Sequence, residues 1–219
     1  METPVILHAE RSFLVCCKNV GCECEHELPA LLAEMLHCKA DELYCVHRLD
    51  RAVGGVMVWA RTREAAAALS RQVQEKALKK EYFAVCAGVP TPQEGTMRDL
   101  LYKDSVKQKS FPVSSPRRGV KEAVLDYRVL QSATLGRAPA SLVRVKLQTG
   151  RFHQIRCQFA SRGHPLLGDG KYGSRERGCK TALWSCRLDF LHPQSGKPLR
   201  FDAPPPRTFP WDAFPDCIE

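Results

Sequence analysis

The residue types most able to do chemistry sit in one short polar stretch, HRLD at residues 47–50. It follows the apolar run LYCV and precedes Gly54-Gly55 and the apolar run VMVWA. A charged side chain is costly to bury unless it is paired or put to use. A carboxylate on a loop between strands can serve as a nucleophile or a base. It can equally accept hydrogen bonds from its own turn, so this stretch alone leaves both interpretations of Asp50 open.

A second candidate group lies in the segment LKKEYFAV, where β-branched and aromatic residues predict a strand. Side chains alternate along a strand, so Lys80 and Tyr82 are expected on one face and Glu81 and Phe83 on the other. A tyrosine ring beside a lysine can stack on a base while the ammonium approaches a phosphate. Plain core or edge packing of Tyr82 is the alternative.

The third group is LQTGRFHQIRCQFASRGHPLLGDGKYG at residues 147–173. Gly150 ends a predicted strand, and polar side chains crowd the first turns of the helix that follows at about 152–162. Backbone N–H groups at a helix start, together with two arginines, suit a phosphate or a carboxylate. No third ligand with sensible spacing joins the two histidines of this segment, so no metal site is expected. The polar side chains concerned are Arg151, His153, Gln154 and Arg156.

The three groups make chemical sense together. A buried carboxylate needs a cation, and Arg156 lies between apolar neighbours on the predicted helix. An arginine beside Asp50 would keep that carboxylate ionised, as a nucleophile or base requires. We therefore expect Asp50 and Arg156 to pair.

The elements that must position these groups are short strands and few helices. Strands are predicted at 4–8, 12–17, 56–60 and 80–89, and helices at 26–37 and from Thr62 onward, where Thr62 can cap the helix. Two hairpins are expected, one pairing 122–131 with 141–148 across the loop SATLGRAPA and one pairing 183–192 with 197–204. Residues 90–120 carry four prolines and several basic residues, and they predict an extended, irregular, solvent-facing excursion. The class is therefore α+β around a mixed, mainly antiparallel sheet, flanked by helices and loops, with the candidate groups in a central cleft.

Composition limits the partners and the compartment. The 219 residues fit one domain, residues 1–219, and carry a net charge of +9 that suits a polyanion such as RNA. No signal peptide and no membrane span is recognisable, so a cytoplasmic protein that does not bind membranes is expected. The 11 cysteines lack zinc-site spacing, and most fall in apolar runs where reduced thiols are buried.

Taken in series, these motifs resemble the RluA-type pseudouridine synthases. HRLD with a following glycine, the Lys-x-Tyr strand, L-x-TGR-x-HQIR and GHP-LLGD-x-x-YG match in order and spacing from about residue 5 to residue 206. The resemblance implies the pseudouridine synthase fold and isomerisation of uridine in rRNA or tRNA to pseudouridine, without cofactor or metal, by a monomer. It implies that Asp50 is the catalytic aspartate, that Tyr82 stacks on the base or moves a proton, and that Arg156 pairs with Asp50.

The resemblance also implies RNA-binding residues. Arg48 would hold the target nucleotide out of its stack, and the 103–121 basic stretch is expected to select RNA, since no S4-like RNA-binding domain is expected before the catalytic region. The other residues expected to bind RNA are His47, Lys80, Arg151, His153, Gln154, Arg117 and Arg118.

The chain departs from the family's usual pattern at two places. Lys18-Asn19 replaces Lys-Pro, and Val53-Gly54-Gly55 replaces Thr-Ser-Gly. Neither change removes a reactive group, but each can alter the shape of a loop.

Two other interpretations remain. One is a synthase-like RNA-binding module without activity, against which the retention of Asp50, Tyr82 and Arg156 counts. The other is a thiol- or metal-dependent hydrolase, which the cysteine and histidine spacings disfavour.

Overall fold

The chain folds into two compact units, as a computed structural model of residues 3–217 shows; the side chain at 217 lies outside this description. The first unit comprises residues 3–80 and 184–205, and the second comprises residues 81–183 and 206–217. The strands are β1 (Val5–Ala9), β2 (Phe13–Lys18), β3 (Tyr44–Cys45), β4 (Gly54–Ala60), β5 (Lys79–Ala87), β6 (Glu94–Asp104), β7 (Lys109–Val113), β8 (Val120–Leu135), β9 (Ala138–Leu147), β10 (Leu183–Leu191) and β11 (Pro198–Asp202). The α-helices are α1 (Glu27–Leu36), α2 (Arg63–Gln74) and α3 (Gln154–Ser161).

In the first unit the strand order is β1-β2-β4-β10, with β3 paired to β4 and β11 paired to β10. All of these pairs are antiparallel except β4 with β10, which run parallel with Gly54 opposite Trp184. Every residue of β4 is buried, as its continuous apolar sequence predicts. Helix α2 begins where expected, because the Thr62 side chain accepts a hydrogen bond from the Ala65 N–H at 3.2 Å. Its buried face joins the core formed by β2, β4 and β10.

In the second unit the strand order is β5-β9-β8-β6-β7. Helix α3 packs on this sheet, where Cys157 joins a core cluster with Leu101, Ala123 and Tyr172. The predicted α+β class and mixed, mainly antiparallel sheet are confirmed.

The prediction of an irregular excursion at 90–120 is wrong. Residues Glu94–Asp104 and Lys109–Val113 form the antiparallel hairpin β6–β7, and β6 also pairs with β8. The prolines mislead because Pro112 lies on β7, the last strand in the order of the second unit. A missing N–H is tolerated on such an edge strand.

The predicted hairpin of 122–131 with 141–148 is confirmed, but its connection is much shorter than the expected loop SATLGRAPA. Strands β8 and β9 continue pairing as far as Leu135 opposite Ala138, which leaves Gly136-Arg137 as the turn. Gly136 adopts a positive φ of 62° there. A two-residue turn with glycine in this conformation closes hairpins readily. In the described part of the chain, no helix is both long and apolar enough to cross a bilayer.

Candidate functional site

The HRLD loop is fastened to the loop that follows β2. The backbone N–H of Gly21 donates to the carbonyl of Arg51 at 2.7 Å, and Arg51 Nε donates back to the carbonyl of Gly21 at 2.8 Å. The Cys24 thiol donates to the Leu49 carbonyl at 3.3 Å. Within the loop, the Val53 N–H donates to the Asp50 carbonyl at 2.9 Å, so residues 50–53 form a turn. The backbone around Asp50 is therefore fixed from both sides of the carboxylate.

Lys18, at the end of β2, lies beneath these two loops. Its side chain is completely buried, and Nζ donates to the carbonyls of Cys22 at 2.7 Å and Asn19 at 3.0 Å. Burial lowers the pKa of this ammonium, while nearby Cys24, Cys22 and Asp50 partly oppose the shift. Lys18 thus adds a positive charge close to the Asp50 carboxylate, and it orders the loop at 19–22 that holds Arg51.

His47 is buried and neutral. Its Nε2 accepts a hydrogen bond from the Val58 N–H at 3.2 Å, so the ring proton must be on Nδ1. Burial and the charge of Lys80 hold the pKa of His47 well below its ordinary value. The imidazole therefore anchors the start of the HRLD loop to β4.

Arg48 and Lys80 present the positive charge of this part of the first unit. The Arg48 side chain is exposed and forms an ion pair with Glu25. Both residues, with His47, Cys45 and Trp59, line a cavity of about 420 Å³. Lys80 is half-buried, and burial lowers its pKa to about 8. At neutral pH the Lys80 ammonium is therefore charged but close to losing its proton.

In the second unit, Tyr82 lies on β5 and is buried. The neighbouring Glu81 forms ion pairs with Arg144 and Lys146 of β9, at 2.8 and 3.4 Å. The guanidinium of Arg144 lies 5.5 Å from the centre of the Phe83 ring. These contacts fix β5 against β9 and so set the position of Tyr82.

Arg156 lies on α3 and is buried against the loop that precedes β10. Its Nε and Nη2 donate to the two carboxylate oxygens of Asp169 at 2.6 and 2.8 Å. The Tyr172 ring lies under the guanidinium, 5.2 Å from ring centre to Cζ. The ion pair that the sequence predicts between Arg156 and Asp50 stays a prediction.

The N-terminus of α3 is shaped by side chains of the same segment. His153 precedes the helix in a left-handed conformation, with φ of 51°, and its Nδ1 lies 3.2 Å from the Tyr172 hydroxyl. Burial, with nearby Arg156 and Lys171, lowers the pKa of His153 to about 3. Gln154 Oε1 accepts from the Arg151 N–H at 3.0 Å and from the Thr149 hydroxyl at 2.8 Å. His153 and Gln154 are buried and hold the turn, whereas Arg151 is partly exposed.

Basic and aromatic side chains alternate along the β6–β7 hairpin and its neighbours. Lys103 lies 4.5 Å above the Phe152 ring, Lys109 lies 4.8 Å above Tyr172, and Arg117 lies 4.9 Å above Tyr102. Lys107 and the two arginines Arg117 and Arg118 are fully exposed. We call this set, Lys103, Lys107, Lys109, Arg117 and Arg118, the hairpin basic surface.

Two residues of the site escaped the sequence analysis. Lys18 appeared only as part of a departure from the Lys-Pro pattern, although a lysine directly after five apolar residues signals a buried charge. Asp169 appeared only as a loop residue, because sequence spacing gives no sign that it reaches Arg156.

The cysteines are not arranged as nucleophiles. Burial raises the pKa of the Cys45 and Cys157 thiols to about 11 and that of Cys86 to about 12. Such thiols are protonated at neutral pH and react poorly. Among residues 3–217, no group of three or more histidine, cysteine, aspartate or glutamate side chains is placed to hold a metal ion.

Comparison with known proteins identifies the family. A family model described as RNA pseudouridylate synthase matches residues 12–161, which include both the HRLD loop and helix α3. The chain belongs to the RNA pseudouridylate synthase family. The resemblance to RluA-type synthases is thereby confirmed.

Relatives of this pseudouridylate synthase include bacterial RNA-modifying enzymes. Ribosomal large subunit pseudouridine synthase D of Zymomonas mobilis is 36% identical over 74% of this chain and 52% of the relative. tRNA pseudouridine synthase C of Pectobacterium carotovorum is 34% identical over 74% of this chain and 48% of the relative. The chain thus spans about half the length of the curated relatives it matches.

The structure of human RNA pseudouridylate synthase domain containing 1 superimposes with a TM-score of 0.82 at 25% identity, covering 96% of this chain and 86% of that one. The predicted pseudouridine synthase fold is confirmed.

Proposed function

We propose that this chain isomerises uridine in RNA to pseudouridine without a cofactor. The observation that carries the proposal is the family match over residues 12–161, which spans the segments holding Asp50, Tyr82 and Arg156. In this reaction the bond from the ribose C1′ to N1 of uracil breaks, and a bond from C1′ to C5 forms. The hydrogen leaves C5 and N1 gains one, so the product has the composition of the substrate.

Asp50 is the proposed catalytic carboxylate. It acts either as a nucleophile at C1′ or in forming a glycal intermediate, as the family resemblance implies. The fixed backbone of the 50–53 turn and the nearby Lys18 ammonium support this role, since a reactive carboxylate must be ionised and well positioned. Tyr82 and Arg156 are assigned by the same resemblance to contact with the base and to support of the Asp50 charge.

The target uridine must leave its stack to react, at a cost of about a few kcal/mol that protein contacts offset. Arg48, exposed two residues from Asp50, is proposed to hold the nucleotide out of the stack. Arg151, Lys80 and the hairpin basic surface are proposed to bind the flanking phosphates. The buried His47, His153 and Gln154 are proposed to serve RNA binding by holding the loops that carry Arg48 and Arg151.

The substrate class follows from the relatives' names, which specify ribosomal large-subunit RNA in some cases and tRNA in others. We propose one of these two RNAs as the target. Residues 1–219 are proposed to act as a single catalytic domain, as a monomer and in the cytoplasm.

The test is to incubate the purified chain with total RNA from cells that lack its gene and to map pseudouridine at each uridine. New pseudouridine at defined sites is the expected result. RNA binding without any product would instead favour the inactive RNA-binding module. Product in tRNA but not rRNA, or the reverse, would identify the substrate class.

A further inference from the structure

The Arg156–Asp169 pair is the most deeply buried ion pair among those observed in the described residues. The two side chains are 6% and 1% exposed, and both carboxylate oxygens accept from the guanidinium. The contact uses Nε–H and one N–H of Nη2, so both atoms of the carboxylate lie along one edge of the guanidinium plane. Such a two-point contact fixes the plane, which a single hydrogen bond would not.

The loop at 166–174 is built so that Asp169 cannot move. The Asp169 N–H donates to the Leu166 carbonyl at 3.1 Å, and the Asp169 carbonyl accepts from Tyr172 at 3.0 Å and Ser174 at 3.1 Å. Gly168, just before it, has φ of +71°, and a Cβ there would lie 2.4 Å from the carbonyl oxygen of Lys180. Only glycine allows the backbone to approach so closely.

Tyr172 restrains Arg156 from a second direction. Its ring faces the guanidinium, and its hydroxyl accepts from the Ser110 N–H at 2.8 Å, which holds the ring in place. Arg156 is therefore held along one edge by Asp169 and across one face by Tyr172. Its other three N–H bonds, two on Nη1 and one on Nη2, are left with fixed directions.

A buried ion pair of this kind is weak evidence for stability, because desolvation of both charges offsets most of their attraction. We propose that Asp169 is a positioning residue for uridine isomerisation, which acts by fixing the direction in which Arg156 presents its remaining N–H donors. The inference rests on the proposed function, in which Arg156 supports the catalytic carboxylate. Asp169 itself does not contact the substrate in this account.

The first experiment changes Asp169→Asn, which keeps the size of the side chain but removes its charge and one of its two acceptor oxygens. A misdirected group about 1 Å from its correct place can cost roughly 100-fold in rate. We expect kcat to fall by about 30-fold or more, while KM and the Kd for RNA stay within about threefold. An effect confined to KM would overturn the proposal, because a positioning residue for the chemical step must change kcat.

Asp99→Asn is the matched control. Asp99 accepts from Nη1 and Nη2 of Arg162 at 2.8 and 3.2 Å, so the change breaks a similar two-point pair on the same helix. It should lower the melting temperature but leave kcat unchanged. Equal losses of kcat in Asp99→Asn and Asp169→Asn would mean that Asp169 has only a structural role.

A double-mutant cycle tests whether Asp169 acts through Arg156. Lysine at 156 keeps the positive charge but cannot form the two-point contact. If the roles are coupled, Arg156→Lys combined with Asp169→Asn should have nearly the kcat of Arg156→Lys alone. Additive losses in the double variant would contradict the proposal.

Two outcomes separate this inference from the proposed function. If the parent chain makes no pseudouridine, the proposed function fails and the inference fails with it. If the parent is active and a folded Asp169→Asn keeps its full kcat, only the inference fails. If Asp169→Asn does not fold, Asp169→Glu is measured instead. It keeps the charge but displaces it, and an undiminished kcat in that folded variant would overturn the proposal.

Discussion

The Nε2 atom of His47 accepts a hydrogen bond from the backbone N–H of Val58 at 3.2 Å. A protonated imidazole has no acceptor, so protonation of His47 would break this contact. His153 is the second histidine held neutral, with its pKa lowered to about 3 mainly by burial. Both side chains lie in segments that carry proposed site residues, which links the pH range of the fold to that of the site.

The first prediction concerns stability in acid. In both histidines the folded-state pKa lies below the unfolded value of about 6.5, so only the unfolded state takes up these protons as the pH falls below 6.5. Each histidine should then cost about 1.4 kcal/mol of unfolding free energy per pH unit between pH 6 and pH 4.

Urea unfolding at several pH values checks this prediction. His47→Gln and His153→Asn should each remove about one proton from the slope of stability against pH. The exposed His26→Gln serves as the control and should keep the parent slope. An unchanged slope in both buried variants would contradict the neutral assignment.

The second prediction concerns Lys80, whose pKa is lowered to about 8, chiefly by burial. Below pH 8 the folded state bears the full cost of a half-buried charge. Between pH 8 and pH 10.5 only the unfolded state keeps the proton, so the parent chain gains stability as the pH rises. Lys80→Met should therefore be more stable than the parent at pH 7, and the difference should shrink toward pH 10. A difference independent of pH would show that Lys80 titrates normally.

The third prediction concerns Gly54, where the family usually has serine. A Cβ at this position would lie 2.3 Å from the Trp184 ring and 3.0 Å from the Lys18 carbonyl oxygen. Gly54→Ser should thus lower the free energy of unfolding by about 2 kcal/mol, a typical cost of overpacking a core.

Trp184→Leu should make Gly54→Ser less harmful, because it removes the ring that the new side chain would meet. Gly150→Ser is the matched control, since no atom lies within 4 Å of a Cβ there. Calorimetric or urea unfolding of the four variants measures the coupling. Simple additivity of Gly54→Ser and Trp184→Leu would refute this account of the departure.

The fourth prediction concerns RNA affinity. Changing Lys103, Lys107 and Lys109 of the hairpin basic surface to Gln should weaken RNA binding and lower the slope of log K against log salt by about 0.7 for each lost phosphate contact with single-stranded RNA. The control replaces three exposed lysines of the first unit, Lys39, Lys76 and Lys197, with Gln at the same change in net charge. Equal loss of affinity in both triple variants would mean that only net charge matters.

The sequence predicts most of the elements but not all of their connections. Alternation and apolar runs locate β2, β4 and β5 to within about two residues, and the cap at Thr62 locates α2, because these signals are local. The hairpin β6–β7 was misjudged since proline is read as a breaker, whereas Pro112 occupies an edge strand. The partner of Arg156 was not predictable, because the 13 residues that separate it from Asp169 include a helix end and a loop whose path depends on Gly168.

The central claim is that Asp50 does the chemistry. When pseudouridine forms, the hydrogen on C5 of uracil is displaced, so RNA labelled with tritium at C5 releases tritium to water. Parent chain and Asp50→Asn are compared at saturating enzyme, with Kd for RNA and melting temperature measured alongside. The account predicts tritium release by the parent and none above background by a folded, RNA-binding Asp50→Asn. Equal tritium release by the two proteins would contradict it.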